Sequence, residues 1–485
     1  MKNMNTIKIT LLFVLCGLTG FAQTPQLYKD LYDSYSTYKV DDFDQRRIKH
    51  TAVKNHLKEL GSNELFNLQQ VGTSIEGREL YLLSAGKGDT QVFLWSQMHG
   101  DESTATRALF DIFNFLQSDE FKAEKEKLFA ELTIHFLPML NPDGAEKFTR
   151  RNALGIDVNR DALRLQSPEG QTLKRIRDSL DADYGFNLHD QSKYYNASRT
   201  GNPATVSFLA PAYNYEKSIN EVRGNALKLI VEMNRHLQEY IPGQVGRYND
   251  DFEPRAFGDN IQKWGTSTIL IESGGYQNDP EKQEIRKLNY SMILTALFAI
   301  AEGDFLENDI ALYEEIPEND RMLFDLKITE VTYELLGNEY LLDLGINRQE
   351  VDDEENRSFH YKSHIVDRGD LSTSYGYEEF NAEGYGIKMP QVYPQELTIE
   401  QVEELDHAAL LKKGYAYIPV KDLGSDKKSS PYPIHMVSPG YKVGNDLEST
   451  FFLEKDGRIE YAVVNGFLLD LSRDELEIEN ALIIK

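Results

Sequence analysis

An apolar, β-prone run at residues 92–98 (VFLWSQM) stops at His99-Gly100-Asp101-Glu102, and residues 103–116 continue with helical spacing. This reads as a buried strand handing over to a helix, with a histidine and a carboxylate in the turn. The same design recurs along the chain. Residues 132–140 form a second buried-strand candidate that ends in the turn signal Asn141-Pro142-Asp143-Gly144. Residues 184–189 end in His189, and residues 268–273 carry Glu272 just before Gly274-Gly275. Helical patterns at 104–116, 119–132, 168–180, 215–240 and 282–301 alternate with these strands, and shorter strands are expected at 66–71, 79–84 and 206–209. Such alternation over residues 64–303 predicts a three-layer α/β/α domain around a mixed, mostly parallel sheet. Ligands bind such sheets at the carboxyl ends of the strands, where His99, His189 and Glu272 fall.

The chain has 485 residues, too many for one ordinary core. Residues 304–485 change character: they are rich in strands and aromatics, with one clear helix at 398–412 and a hairpin signal at Asn465-Gly466. They are expected to form a smaller β-rich domain. An acidic patch at 352–356 reads as a solvated loop rather than a calcium site. Residues 1–22 read as a secretory signal, with Lys2 and Lys8 ahead of an apolar run and Gly20-Phe21-Ala22 before Gln23. The first domain is then 23–303, with a helical lead-in over 23–63 whose amphipathic part is 45–60. An exported protein, periplasmic or extracellular, is expected. The single cysteine, Cys16, lies in the signal, so the mature chain holds no disulfide and no thiol nucleophile. No other run is long enough to span a bilayer, so no stable membrane insertion is expected after cleavage. A net charge of −27 argues against nucleic acid and anionic membrane surfaces as partners.

Two imidazoles and a carboxylate are a common ligand set for catalytic zinc, with one position left open. His99, Glu102 and His189 supply that set from two strand ends. Each is unremarkable alone, because His-x-x-Glu arises often by chance and a lone histidine is usually structural. Glu272 adds weight. A carboxylate ending the apolar run TILI is costly to bury unless it is paired or functional. It is either a capping or salt-bridged group or a general base acting on a metal-activated water. The loop RRNALGIDVNR, residues 150–160, concentrates arginines and asparagines that can fork a carboxylate or steady an oxyanion. Arg150 or Arg151 taken singly would equally suit a surface ion pair.

In chain order, VGTSIEGREL, HGDE, NPDG, RRNALGIDVNR, NLHDQ and TILIESGG resemble the zinc carboxypeptidases of the carboxypeptidase A type, over residues 64–303. The resemblance implies that family's α/β/α fold and one zinc per chain, held by His99, Glu102 and His189. It implies Glu272 as general base and Asn159 with Arg160 as binders of the substrate's terminal carboxylate. Arg150 or Arg151 would polarise the scissile carbonyl, with Arg150 preferred from the R-x-N-x-x-G-x-D-x-N-R spacing. Asp157 would orient His99. Tyr248 and Tyr276 are candidates, by position alone, for a tyrosine closing over substrate. Asp161 stands where the family usually has Asn, and Asp190-Gln191 follow His189 where Ser or Gly is common.

The expected activity is metallocarboxypeptidase action on peptides with a free C-terminal carboxylate. A zinc amidohydrolase acting on cell-wall peptides or acyl-amino acids is the near alternative, and a non-catalytic exported binding protein of the same fold is the distant one. Asp161, Asp190 and Asp259 are candidates for favouring a basic substrate. His50, His56, His135, His236, His360, His364, His407 and His435 read as structural or surface groups.

Overall fold

Eight strands of the N-terminal half form one mixed sheet in the computed structural model, which describes residues 24–424, 428–473, 476 and 480–485. The expected signal and Cys16 lie outside the described residues. Helices α1 (Thr24–Tyr38) and α2 (His50–Leu60) precede β1 (Asn67–Thr73), β2 (Glu79–Gly86) and β3 (Thr90–Ser96). Next come α3 (Thr104–Gln117), α4 (Lys122–Glu131), β4 (Leu132–Leu137), α5 (Pro142–Lys147), α6 (Pro168–Leu180), β5 (Tyr184–Asp190) and the two-residue β6 (Asn196–Ala197). The half closes with β7 (Val206–Leu209), α7 (Glu221–Gln238), β8 (Val245–Arg247), α8 (Phe257–Lys263), β9 (Ser267–Ser273) and α9 (Gln283–Glu302).

The strand order is β1-β2-β4-β3-β5-β9-β7-β8. The central β4, β3, β5 and β9 run parallel, while β2 and β7 pair antiparallel to their inner neighbours. Parallel strands covered on both faces must be apolar throughout. Val92 and Leu94 accordingly join the core under α1, α3, α7 and α9, while Phe93 and Trp95 join the core under α6 and α8. The period of two puts successive side chains into opposite layers.

Three expected helices change at their ends. The run expected as helix at 45–60 becomes helical only at His50, because Arg46 and Arg47 reach away to Glu350 and Asp352. The helix expected from 215 starts at Glu221, where the Asn220 side chain accepts the Arg223 N–H. The helix expected at 398–412 is two, Ile399–Glu403 and His407–Lys412, because Asp406 caps the second by accepting the Ala409 N–H. Helix α1 lies within the expected helical lead-in; its buried face is Tyr28, Leu31, Tyr35 and Tyr38, a tyrosine stripe that reads as polar in sequence.

The C-terminal half starts with the short β10 (Asn319–Asp320), which pairs with β6. Then come β11 (Leu323–Leu335), β12 (Asn338–Asp352), β13 (Phe359–Gly369), β14 (Tyr375–Asn381) and β15 (Gly386–Lys388). Four of these, in the order β13-β12-β11-β15, continue through Phe451–Lys455, Arg458–Val464 and Phe467–Asp470, and β14 pairs with β11. A five-stranded sheet that includes Tyr415–Pro419, His435–Val437 and Ala481–Ile484 packs beside it. The Asn465-Gly466 hairpin forms as expected, both residues having positive φ (47° and 74°) and Val464 pairing with Phe467. The acidic patch does not stay solvated throughout. Asp352 is paired at 2.5 Å with Arg47, whose guanidinium lies between the Phe148 and Phe359 rings, 4.3 Å from each centroid.

His135, His236 and His435 are buried, and burial pushes each pKa down to about 4 from an ordinary 6.5. His435 needs its neutral form, since its Nδ1 accepts the Leu482 N–H at 2.8 Å. Between those two pH values the unfolded chain binds protons that the folded chain does not, so stability falls as pH drops from 6.5 to 4. A melting temperature measured across that range should decline steadily, with a loss on the order of a few kcal/mol in total. A flat profile down to pH 4.5 would contradict neutral burial.

Candidate metal centre

Three strand ends converge at one edge of the sheet. β3 ends at Ser96, and Gln97 turns the chain with a positive φ of 53°. Gly100 lies so close to the Gly144 backbone that a Cβ would be 2.0 Å from its carbonyl carbon, which brings the His99–Glu102 turn down against α5. β5 delivers His189, and in the parallel β5–β9 register His189 is paired with Glu272.

Glu102 stands between the two imidazoles. Its Oε1 is 2.7 Å from His99 Nδ1, and its Oε2 is 2.7 Å from His189 Nδ1. The ring centroids are 4.8 Å apart. The far nitrogens are also engaged: His99 Nε2 meets Asp157 Oδ1 at 3.1 Å, and His189 Nε2 meets Asn159 Nδ2 at 3.5 Å. One ligand atom from each of His99, Glu102 and His189 lies within 4.8 Å of the others, and all three residues are buried. A divalent cation fits this set. Two nitrogens and one oxygen are the donors of a catalytic zinc site, and the outer contacts are the kind that hold metal-bound imidazoles in place.

Charge in the cluster is strongly coupled to burial. Burial alone would raise the Glu102 pKa, but the two imidazoles reverse this and hold it well below the carboxylate range. Burial works against charge on His99, yet Glu102 and Asp157 outweigh it and lift its pKa to about 9. On His189 burial prevails and the pKa falls. Glu272 has no cationic partner among its hydrogen bonds; burial, and then the Glu102 charge, push its carboxyl well above the ordinary range. Its Oε2 is buried and without a partner.

The loop at 150–160 divides its arginines. Asp157 Oδ2 accepts Arg150 Nε at 3.1 Å and pairs with Nη2 at 3.0 Å. This turns Arg150 Nη1 to within 3.1 Å of His99 Nδ1 and 3.4 Å of Glu102 Oε1. Arg151 instead donates to the Gly155 carbonyl of its own loop and is exposed, so it does not reach the cluster. Asn159 Oδ1 accepts the Phe257 N–H at 2.9 Å. Arg160 donates to the Asn159 carbonyl and lies 3.6 Å from Glu253, with its guanidinium side partly open.

The two tyrosines separate as well. The Tyr248 ring lies 5.7 Å from that of Tyr195, six residues beyond His189, and burial, then the Glu272 charge, push its phenol pKa far up. Tyr276 does not belong here. It packs against the main apolar core beside Tyr32, because the chain turns at Gly274-Gly275 toward α9. Of the three acidic residues considered for a basic substrate, Asp259 accepts the Glu253 N–H at 2.9 Å and burial lifts its pKa to about 7, while the other two are committed elsewhere. Asp161 accepts the Gln166 and Ser167 N–H groups and the Ser167 hydroxyl, and Asp190 pairs with Lys282.

A buried pair of histidines and a carboxylate at the carboxyl edge of an α/β sheet, with a free carboxylate on the next strand, is an arrangement used by metal-dependent hydrolases. Residues 53–244 match the family model described as zinc carboxypeptidase, and that segment is similar to this family. The carboxypeptidase N catalytic chain of Homo sapiens is 30% identical over 112 residues, 19% of this chain and 24% of that protein. Carboxypeptidase E of Caenorhabditis elegans is 31% identical over 159 residues, 28% of this chain and 34% of that protein. The chain thus matches a quarter to a third of the length of these curated relatives. A solved metallo-carboxypeptidase from Burkholderia cenocepacia shares 19% identity, with a TM-score of 0.42, over 52% of this chain and 68% of that one. The family match stops ahead of Tyr248 and Glu272.

Alanine at His99 or His189 should abolish stoichiometric zinc in the purified protein, as read by elemental analysis. Alanine at Asp157 should weaken zinc affinity by about 10–100-fold in a chelator competition. Unchanged zinc content in all three variants would mean that the metal sits elsewhere.

Proposed function

We propose that this protein is an exported zinc metallocarboxypeptidase that removes residues from peptides with a free C-terminal carboxylate. The observation that carries the reading is Glu272 Oε2, a buried carboxylate oxygen without a partner, on the strand position paired with His189. A buried acceptor left unpaired is costly, and such groups mark sites of function.

His99, Glu102 and His189 would hold the zinc. Bound there, it would supply Lewis acidity for the scissile carbonyl, a lowered water pKa, and a positive charge that favours the ionised form of Glu272. Glu272 takes the proton of the attacking water and passes it to the leaving amine. Arg150, fixed by Asp157 with Nη1 toward the cluster, steadies the oxyanion that develops on the carbonyl. Asn159 and Arg160 bind the terminal carboxylate, which restricts cleavage to the last peptide bond. Tyr248 covers the site from the Glu272 side and excludes water. Asp157 serves both His99 and Arg150, so one carboxylate positions a ligand and an electrophile together.

No helix among the described residues is long and apolar enough to cross a membrane. With a net charge of −27, peptides rather than nucleic acids are the partners to expect.

Glu272→Ala should retain zinc and lose at least about 10²–10⁴-fold in turnover. The zinc-loaded protein should release single C-terminal residues from free peptides and leave C-terminally amidated versions intact, as followed by mass spectrometry. Cleavage of amidated peptides at the same rate would remove the exopeptidase assignment, and substantial activity in Glu272→Ala would remove the general base.

A further inference from the structure

A cleft of about 450 Å³ opens at the far edge of the same sheet, where β1, β2 and β4 meet the last turn of α6. Thr133 and His135 line it from the first half of β4, at the amino end of the parallel strands. The metal cluster stands at their carboxyl ends and shares no residue with the cleft. The floor is a row of register partners across three strands: Asn67 on β1, Ser84 on β2 and His135 on β4. Thr133 lies on the same face of β4, and its partner across the ladder, Gly86, has no side chain to cover it.

Hydrogen bonds fix which way the floor hydroxyls point. Gln91 Nε2 donates to the Gly88 and Asp89 carbonyls, so its Oε1 is the atom that meets His135 Nε2 at 3.0 Å. An amide oxygen only accepts, so the proton of the neutral imidazole sits on Nε2 and Nδ1 is left as an acceptor. Ser84 Oγ, 2.7 Å from Nδ1, is therefore the donor of that pair. The Thr133 hydroxyl donates to the Gly88 carbonyl at 2.7 Å. Both hydroxyl protons are committed inside the protein, and only lone pairs remain for a molecule entering the cleft. The Asn67 and Gln69 amides can turn either end toward it.

The rim has the same preference. Glu64 is exposed and has no ion-pair partner among the described residues. Ser179 and Leu180 belong to the C-terminal turn of α6, the negative end of that helix's dipole. Arg177, the basic residue of that turn, donates instead to Thr266 and to the Trp264 carbonyl. No lysine or arginine among the described residues lines the cleft. Phe66, Leu82, Ile176 and Leu180 supply apolar walls.

We propose that this cleft binds a small aliphatic amine in its ammonium form. The ammonium donates to the Ser84 and Thr133 oxygens, Glu64 supplies the opposite charge, and the alkyl chain lies against the apolar walls. An ammonium carries donors only, which suits hydroxyls that offer acceptors only. A carboxylate finds neither a hydroxyl donor nor a cation there. An alcohol can donate one proton but brings no charge. The proposal does not depend on the peptidase reading.

The test uses the intact chain and ligand-observed NMR with pentylamine, pentanol and pentanoate. Pentylamine should bind saturably, pentanol at least about 10-fold more weakly, and pentanoate not at all. Thr133→Val keeps the shape and removes the oxygen, and it should weaken pentylamine by about 10-fold. Diffuse attraction to a chain of net charge −27 would also draw amines, so a charge control is needed. Glu64→Lys and Glu239→Lys change the net charge equally, both at exposed positions, and Glu239 lies at the end of α7. Binding lost in Glu64→Lys and kept in Glu239→Lys upholds the assignment. Equal loss in both, pentanol as tight as pentylamine, unchanged affinity in Thr133→Val, or no saturable binding overturns it.

Discussion

A carboxylate buried between two buried imidazoles is the constraint on which the rest of this structure depends. Moving an ionised Glu102 out of water costs several kcal/mol unless opposite charge and hydrogen bonds compensate it. The sheet provides that compensation through topology. Because β3 and β5 are parallel neighbours, their carboxyl ends deliver His99 and His189 to the same edge, although 90 residues separate them. β9 runs parallel beside β5 and places Glu272 at the same level. An antiparallel β9 would have sent Glu272 to the opposite edge.

The second layer of support comes from one loop. Asp157 links His99 to Arg150, and Asn159 links His189 to Phe257 at the start of α8. A loop that contacts both imidazoles can hold them only if it is itself anchored. Asn152 does this by accepting the Leu154 and Ile156 N–H groups and donating to the buried Glu169.

The C-terminal half grips the loops that follow the site strands. Asp325 on β11 binds Lys193 at 2.6 Å and the Tyr194 hydroxyl at 2.7 Å, just beyond His189. The Tyr377 hydroxyl donates to the Lys193 carbonyl and lies where a Gly275 side chain would be, just beyond Glu272. Arg46 and Arg47 tie the lead-in to Glu350 and Asp352. Such partly buried ion pairs do more for geometry than for net stability, since desolvation offsets much of their attraction.

Much of this was legible in the chain itself. Strands β1 to β5, β7 and β9, the helix Pro168–Leu180, the Asn465-Gly466 turn, and the strand-end positions of His99, Glu102, His189 and Glu272 follow from apolar period and turn chemistry, whereas the short β6 and β8 do not. Those signals are local, because the backbone and a few neighbours decide them. Tertiary structure alone decided that Arg150 faces the cluster while Arg151 folds back on Gly155, and that Tyr248 meets Tyr195 while Tyr276 leaves. It also left Asn187 unpaired, engaged Asp161 with its own loop, and set Arg47 between two phenylalanines from different halves of the chain. The physical reason is common to all of these. A side chain's direction and its hydrogen-bond partners depend on what packs against it from distant segments, and a periodic pattern says which residues are buried but not what they meet there.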